Sequence, residues 1–497
     1  MQRAVASEVF FPATMAGRMG NGHPPEVAMR WICCVVVFLG GILSSQPRSQ
    51  ERISLAIRNV SVIVGDGTPT VPAQTVLIRG ERIAAVGSAA EVVVPSGARI
   101  IDGSDRFLMP GLIDLHVHLS KARASSLGLF VLNGVTTVRD MGGDFDELLQ
   151  WRREITEGKR LGPRMLIAGP YLESARNIAR MRKDPPEARV EPFERTRIGV
   201  GTPEEARRIV AGLASREVDF LKIRTVENHE TYMALNAAAK AHGLRLVGHV
   251  SGIAPKVVLD AGQDGIDHTF YPSIEGTRED RMAIWRRFAA QGVPCVPTLV
   301  TMFETTFPPV AQLKAMVEDE TGAVDPRRAY LSRYLVQDWR EQVSEASEPR
   351  TEALRKIYNE VVRRDLREMH EAGMDLLAGS DVAAMNVFPG FSLHDEIAFM
   401  MREVGLSPSE AIARVTGRSA NFLGVGESIG TVTRGKIADL VLLNADPNLD
   451  IANTKRIDRV LVRGRVYGPK ELEALKATVR SAPDRRADDW GRMAVKR

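Results

Sequence analysis

Between residues 112 and 380 short apolar runs recur eight times, with stretches of helical periodicity between several of them. The runs fall at 112–118, 136–140, 165–169, 220–224, 246–249, 265–268, 295–298 and 376–380. Two of the intervening helices are well marked. One opens at Thr202, with Pro203 in the first helical position and Glu205 three residues after the cap; the other covers 230–241, rich in Ala and Leu. Strands separated by helices pair in parallel, because the crossover needs a dozen or more residues. Eight such units describe a (β/α)8 barrel better than an open sheet. That fold confines chemistry to one place, the C-terminal ends of the strands.

The flanks have a different texture. From 53 to 101 the chain reads as short β segments with Gly-containing turns, and "SIGTVTRGKIADLVLLNADP" and "RIDRVLVRGRVYG" return to the same style after the barrel. Residues 51–108 and 426–470 are therefore expected to form one composite β-sandwich around a barrel at 109–425. Residues 302–370 form a charged, aromatic-bearing helical insertion between the seventh and eighth strands, either a lid or substrate wall or a solvated helical hairpin. A mixed-charge tail, 471–497, is expected to be partly helical and frayed.

Lys and Arg number 66 against 62 Asp and Glu in 497 residues, a net charge of +4. The basic residues are scattered without a block, so nucleic-acid binding has no support. Cys33, Cys34 and Cys295 are the only cysteines and form no CxxC pair, so any metal must be held by His, carboxylates or something less usual. The leader, 1–50, contains an apolar run at 29–46 with one Arg ahead of it and small polar residues behind. That is a signal-peptide pattern, and export to the periplasm or medium is expected, with translation starting at Met29. The alternative is a single-helix membrane anchor formed by the same 29–46 segment.

The residues that carry chemistry stand at the strand ends. His116 and His118 close the first run, and positions i and i+2 of a strand share a face. Lys222 lies in the fourth run, His249 ends the fifth, His268 ends the sixth, and Asp381 follows the eighth. Any one of these histidines is ordinary, but four of the nine in corresponding places are hard to explain by packing. A metal site accounts for them. An ammonium cannot ligate a metal. Lys222 is either a neutral amine that captures carbon dioxide as a carbamate or a buried lysine paired with a barrel carboxylate. Arg224, two residues beyond Lys222, is a candidate clamp for a substrate carboxylate. Tyr271 is a candidate donor to a carbonyl oxygen, and His229, in the loop after the fourth strand, a candidate pocket residue. A rim salt bridge for Arg224 and a packed aromatic for Tyr271 are the plainer readings. His394 is assigned to packing.

Taken together, "MPGLIDLHVH", "DFLKI", "VGHV", "GIDH", "AGSD" and "IGTVTRGKIADLVLLNADP" resemble the amidohydrolase superfamily, in particular its imidazolonepropionase- and prolidase-like branch. The resemblance spans roughly residues 53 to 468. It implies a (β/α)8 barrel with a small β-sandwich and two divalent metal ions, zinc first among them. His116, His118 and Asp381 would hold one ion and His249 and His268 the other, with a carbamate on Lys222 bridging them. A hydroxide between two ions about 3.5–4 Å apart would then attack an amide carbonyl, Asp381 handling its proton. The implied substrate is a small molecule, a dipeptide or N-acyl amino acid, and the protein a homo-oligomer. A cyclic-amide hydrolase or deaminase of imidazolonepropionase type is the rival enzyme, and a non-catalytic binding protein on the same fold the rival outside enzymology. The stretch "RTVENHETY" after Lys222 departs from dipeptidase-like members, which carry glycines there, and so leaves the substrate open.

Overall fold

Both ends of the chain build one mixed sheet. The computed structural model describes residues 53–183, 193–250, 252–268 and 274–482. The leader with its 29–46 segment, Tyr271 and residues 483–497 lie outside the described residues. From the N-terminal side come β1 (Ile53–Val62), β2 (Val71–Arg79), β3 (Arg82–Ser88), β4 (Arg99–Asp102) and β5 (Phe107–Pro110). Nine strands follow: β6 (Leu112–Val117), β7 (Val135–Asp140), β8 (Arg164–Ile167), β9 (Tyr171–Ser174), β10 (Arg197–Val200), β11 (Leu221–Ile223), β12 (Leu246–Gly248), β13 (Gly265–Asp267) and β14 (Cys295–Val296). The C-terminal part returns β15 (Leu440–Leu443), β16 (Ile457–Val462) and β17 (Arg465–Tyr467) to the first sheet. Its order is β17-β16-β15-β5-β1-β2-β3, with β4 also pairing β1. The seam between the two ends is antiparallel, Met109 opposite Val441. Alternate side chains such as Ile57, Val76, Ile78, Leu440 and Leu461 form its core.

The nine middle strands are parallel and lie in two arcs, β6-β7-β8 and β10-β9-β11-β12-β13-β14. Residues 376–382 close one gap between the arcs through single bridges, Cys295 to Leu376 and Val117 to Val382. The Asp219 N–H donating to the Ile167 carbonyl at 3.0 Å spans the other. Among the described residues the ladder is therefore α/β of TIM-barrel type but not one continuous closed sheet. The eighth apolar run makes only these isolated bridges, and it passes close to its neighbours before turning. A side chain at Gly379 would press within 2.9 Å of Val296 and His116, and Asp381 turns the chain into the left-handed region at φ 59°.

Local signals place the helices. Thr202 caps Pro203–Ala214 by accepting from the Glu205 N–H, and Asn228 caps His229–Ala241 by accepting from Thr231. The second helix thus begins at His229, which is its first residue and not a loop residue. Within 302–370 lie the helices Val310–Glu318, Arg333–Ser344, Glu348–Ile357 and Arg363–Glu371. They are fastened to the barrel mouth: the Trp339 indole and the Gln342 amide both donate to the Ala383 carbonyl at 3.2 Å, and Lys121 pairs with Asp338 at 3.4 Å. In the described part of the chain beyond 468, the helix Pro469–Arg480 buries Leu472 and Val479 against Leu129, Val131 and Val460. Among the described residues no helix is long and apolar enough to cross a membrane.

Candidate metal centre

Strand β6 delivers His116 and His118 to a single carboxylate. His116 Nε2 and His118 Nε2 each lie 3.4 Å from Asp381 Oδ1. One ligand atom from each of the three residues fits within 4.8 Å of the others. His116 is fully buried, and its ring nitrogens face two carboxylates without a well-aligned hydrogen bond, Nδ1 3.3 Å from Asp267 Oδ1 and Nε2 3.4 Å from Asp381 Oδ1. A buried imidazole is normally satisfied on at least one nitrogen. An orphaned one facing a carboxylate and a second imidazole is the donor set that a divalent cation of the zinc type requires. His118 is oriented from behind: its Nδ1 meets the Tyr171 hydroxyl at 2.9 Å and the Gly142 carbonyl at 3.3 Å, which turns Nε2 toward Asp381.

The other two histidines continue the row. The His268 ring lies 4.7 Å from that of His116 and 4.8 Å from that of His249, centroid to centroid. His268 Nδ1 is 2.8 Å from Thr298 Oγ1 and 4.0 Å from Asp381 Oδ2. Burial, reinforced by the Lys222 charge, pushes His116 down to about 3 and holds His249 well below the usual imidazole range. Burial also pushes His268 down to about 4. These three imidazoles are thus neutral at neutral pH, the state a metal needs. Burial by itself would raise the Asp381 carboxyl, but the imidazoles facing it, His116 first, outweigh burial: a proton entering this cluster goes to a ring nitrogen before the carboxylate, which stays ionised while the rings are neutral.

Lys222 is 1% exposed and reaches Asp267, Nζ to Oδ2 3.3 Å. It approaches this closely because Gly248 lies alongside, at φ 129°, where a Cβ would strike the lysine stem and the Ile223 backbone. Asp267 also takes Arg139 Nη2 at 2.6 Å and sits 3.3 Å from His116 Nδ1. Burial opposes its ionisation, yet Lys222, Arg139 and His116 keep it well below the usual carboxylate range. The Lys222 ammonium is pulled down in turn by burial and by Arg139. Of the two readings open for Lys222, the unmodified side chain takes the paired one. Behind β6, Asp114 ties strand to strand, accepting from the His116 N–H at 3.2 Å, the Ser380 N–H at 2.9 Å and the Ser380 hydroxyl. Burial pushes its carboxyl up to about 6.

The three candidate substrate residues separate. Arg224 stands at the rim, 40% exposed in its side chain, with Nη1 2.9 Å from Glu173 Oε1. Arg197 joins the same oxygen at 3.0 Å, and both guanidinium groups lie near the Tyr171 ring. His229 is exposed at its helix start, and no contact among the described residues joins it to the imidazole row; Asp260 is its electrostatic neighbour. Tyr271 is outside the described residues. Asp267, Arg139, Tyr171 and Thr298 belong to the centre but do not stand out in the sequence.

An imidazolonepropionase from Thermoplasma volcanium is 30% identical over 89 residues, 18% of this chain and 21% of that protein. The alignment spans about a fifth of that relative's length. Over whole folds, a Bifidobacterium longum protein assigned as a prolidase superposes with a TM-score of 0.65 at 25% identity, covering 86% of this chain and all of its own. A molinate hydrolase gives the same TM-score of 0.65 at 20% identity, over 88% of this chain and 99% of its own, a likeness of fold. The profile of the amidohydrolase family matches residues 107–467, which span β5 to β17 and every residue of the imidazole row, and the chain belongs to that family.

Proposed function

We propose that this protein hydrolyses amide bonds in small substrates bearing a free carboxylate, dipeptides or N-acyl amino acids, with two divalent metal ions bound at the imidazole row. The observation that carries the reading is the orphaned, buried His116 converging with His118 on Asp381. These three residues would hold one ion, and His249 and His268 the other. When bound, the ions supply Lewis acidity toward the amide carbonyl and acidify a water. Everything else falls to the chain. Asp381, ionised at neutral pH, takes the proton of the attacking water and returns it to the leaving nitrogen. Arg224, at the rim beside Arg197 and Glu173, is the side chain this reading assigns to a substrate carboxylate.

Lys222 enters this reading as a carbamate. Its depressed ammonium loses a proton, the neutral Nζ adds to the carbon of carbon dioxide, and a second N–H proton leaves to solvent, giving an oxygen-donor anion at the lysine tip. As a carbamate Lys222 would give up its Asp267 pair and would join the residues that hold the ions, with Arg139 remaining to neutralise Asp267. The same reading takes the two parallel arcs as one (β/α)8 barrel and the sheet of the chain ends as a small β-sandwich beside it.

One observation favours a second reading. With Lys222 engaged by Asp267, the remaining ligands suit a single ion, and the imidazolonepropionase likeness points to cyclic amides or deamination. Metal content and substrate separate the two. Protein stripped with chelator and reloaded with zinc should bind two equivalents and regain turnover of dipeptides or N-acyl amino acids. One equivalent per chain with turnover confined to cyclic amides or aminated rings would replace the first reading with the second.

A further inference from the structure

Glu396 is a carboxyl with no exposure, on the helix Ser392–Val404, that no step above employs. One of its oxygens, Oε2, accepts the Val300 N–H at 2.7 Å across 96 residues of sequence, and the other is buried without a partner. Val300 lies in the first turn of the helix Leu299–Thr305, which follows β14. The residue before that helix is Thr298, which ordinarily would turn its hydroxyl back on the first-turn N–H groups. Here it does not. Thr298 sits at φ 50°, ψ 49°, makes no side-chain cap bond, and places its hydroxyl 2.8 Å from His268 Nδ1. A β-branched residue in the left-handed region is a costly conformation that persists only where its surroundings fix it. The acceptor missing from the helix start is supplied from another element, by Glu396.

We propose that Glu396 is a positioning residue for His268, acting through Thr298: by capping the Leu299–Thr305 helix in place of the threonine, it leaves the Thr298 hydroxyl to orient the imidazole. With Nδ1–H donating to Thr298 Oγ1, the His268 lone pair is on Nε2. That is the one tautomer in which Nε2 can ligate a metal while Nδ1 holds its bond. The proposal rests on the metal-centre reading for its purpose, but its geometry is independent of any ion. Burial keeps the Glu396 carboxyl protonated to about pH 8, so Gln reproduces both its neutrality and its acceptor oxygen.

The test reads the histidine first and the metal second. Long-range 1H–15N spectra of the metal-free protein should show His268 in the Nδ1–H tautomer at pH 7. Glu396→Gln and Thr298→Ser should preserve it. Glu396→Leu and Thr298→Val should both give a mixture with the Nε2–H form, and competition with a chromogenic chelator should find zinc bound about 10–100-fold more weakly at the affected site. Should Glu396→Leu fail to fold, Glu396→Asp, which withdraws the acceptor by one methylene, takes its place with a smaller change in the same direction. An unchanged His268 tautomer in a folded Glu396→Leu or Glu396→Asp protein overturns the proposal, as does an unchanged tautomer in Thr298→Val. If zinc binds neither variant nor wild type, the metal reading fails, while the tautomer measurement still judges Glu396.

Discussion

Replacing Lys222 with Met separates the binuclear reading from its rival and can be worked through from the structure. Met keeps most of the lysine stem in its slot beside Gly248, so little apolar burial is lost, and only the nitrogen disappears. In the metal-free protein the deleted interaction is the 3.3 Å pair with Asp267. At an effective dielectric of about 20 its gross attraction is about 5 kcal/mol. Set against this is the desolvation of a fully buried ammonium, several kcal/mol, which the variant no longer bears. Asp267 is not orphaned, since Arg139 Nη2 remains 2.6 Å away. The net change should therefore be within about 2 kcal/mol of wild type, and the fold should survive. Function should not. Without an amine to carbamylate, the bridging oxygens are lost, and metal analysis should find close to one ion per chain in place of two. Turnover of an N-acyl amino acid should fall by two orders of magnitude or more, and added short carboxylic acids should restore part of both. Full metal content with near-normal turnover in Lys222→Met would falsify the carbamate reading and leave Lys222 as a structural partner of Asp267.

Other variants probe the surroundings. Arg139→Leu removes the tighter of the two partners of Asp267 and should cost about 3–5 kcal/mol in chemical denaturation, more than Lys222→Met; equal or smaller loss would show that Lys222 is the principal counter-ion. Arg224→Ala should raise KM for substrates with a free carboxylate well above the change for their esters or amides, and an equal effect on both would make the Arg224–Glu173 pair purely structural. Glu396 carries a proton more tightly folded, at about 8, than unfolded, near 4.5, so its stabilisation is complete below about pH 4.5 and is lost as pH rises through 8. Asp114 and Asp381 nearby reinforce the shift, and Glu396→Gln should therefore gain on wild type in stability between pH 5 and 9; parallel pH curves would show that the carboxyl does not titrate there. For the leader, N-terminal sequencing of protein from its native cell should find a start shortly after Leu43, and an intact 1–50 segment on cytosolic protein would rule out export.

The imidazole pair was legible because it needed only the two-residue period of a strand. His116 and His118 do converge on one oxygen, and Asp381, placed by the end of the eighth run, supplies it. The same alternation hid Asp267. As the immediate neighbour of His268 it belongs on the opposite face of an ideal strand. But β13 ends at Asp267, and His268 departs from the strand at φ 70°. Both side chains then serve the centre, Asp267 from beneath through Lys222 and Arg139, His268 from the rim. Arg139, in "TTVRD", gave no signal because an arginine inside a short apolar run carries no period. Strands β9 and β10 are four residues each, with polar residues among them, and rest on pairing across sequence rather than on local pattern.

What composition and period cannot supply is the sign of φ. Asp381, His268 and Thr298 are all non-glycine residues in the left-handed region, at φ 59°, 70° and 50°, and all three stand at the centre. The region is disfavoured for L-residues by contact of Cβ with the backbone, most severely for a branched one such as Thr. Each is held by bonds reaching far along the chain: the Asp381 N–H donates to the His116 carbonyl at 2.7 Å, the His268 N–H to Val296 at 2.8 Å, and the helix after Thr298 to Glu396. The barrel thus fixes, by long-range hydrogen bonds, three local conformations that the local sequence disfavours. Strands that simply continued would send successive side chains to alternate faces. The left-handed backbone at Asp381 and His268 breaks that alternation, and both side chains lie beside His116. Strained backbone at Asp381, His268 and Thr298 thus accompanies the meeting of side chains from β6, from the end of β13 and from the turn at Asp381 in one small volume.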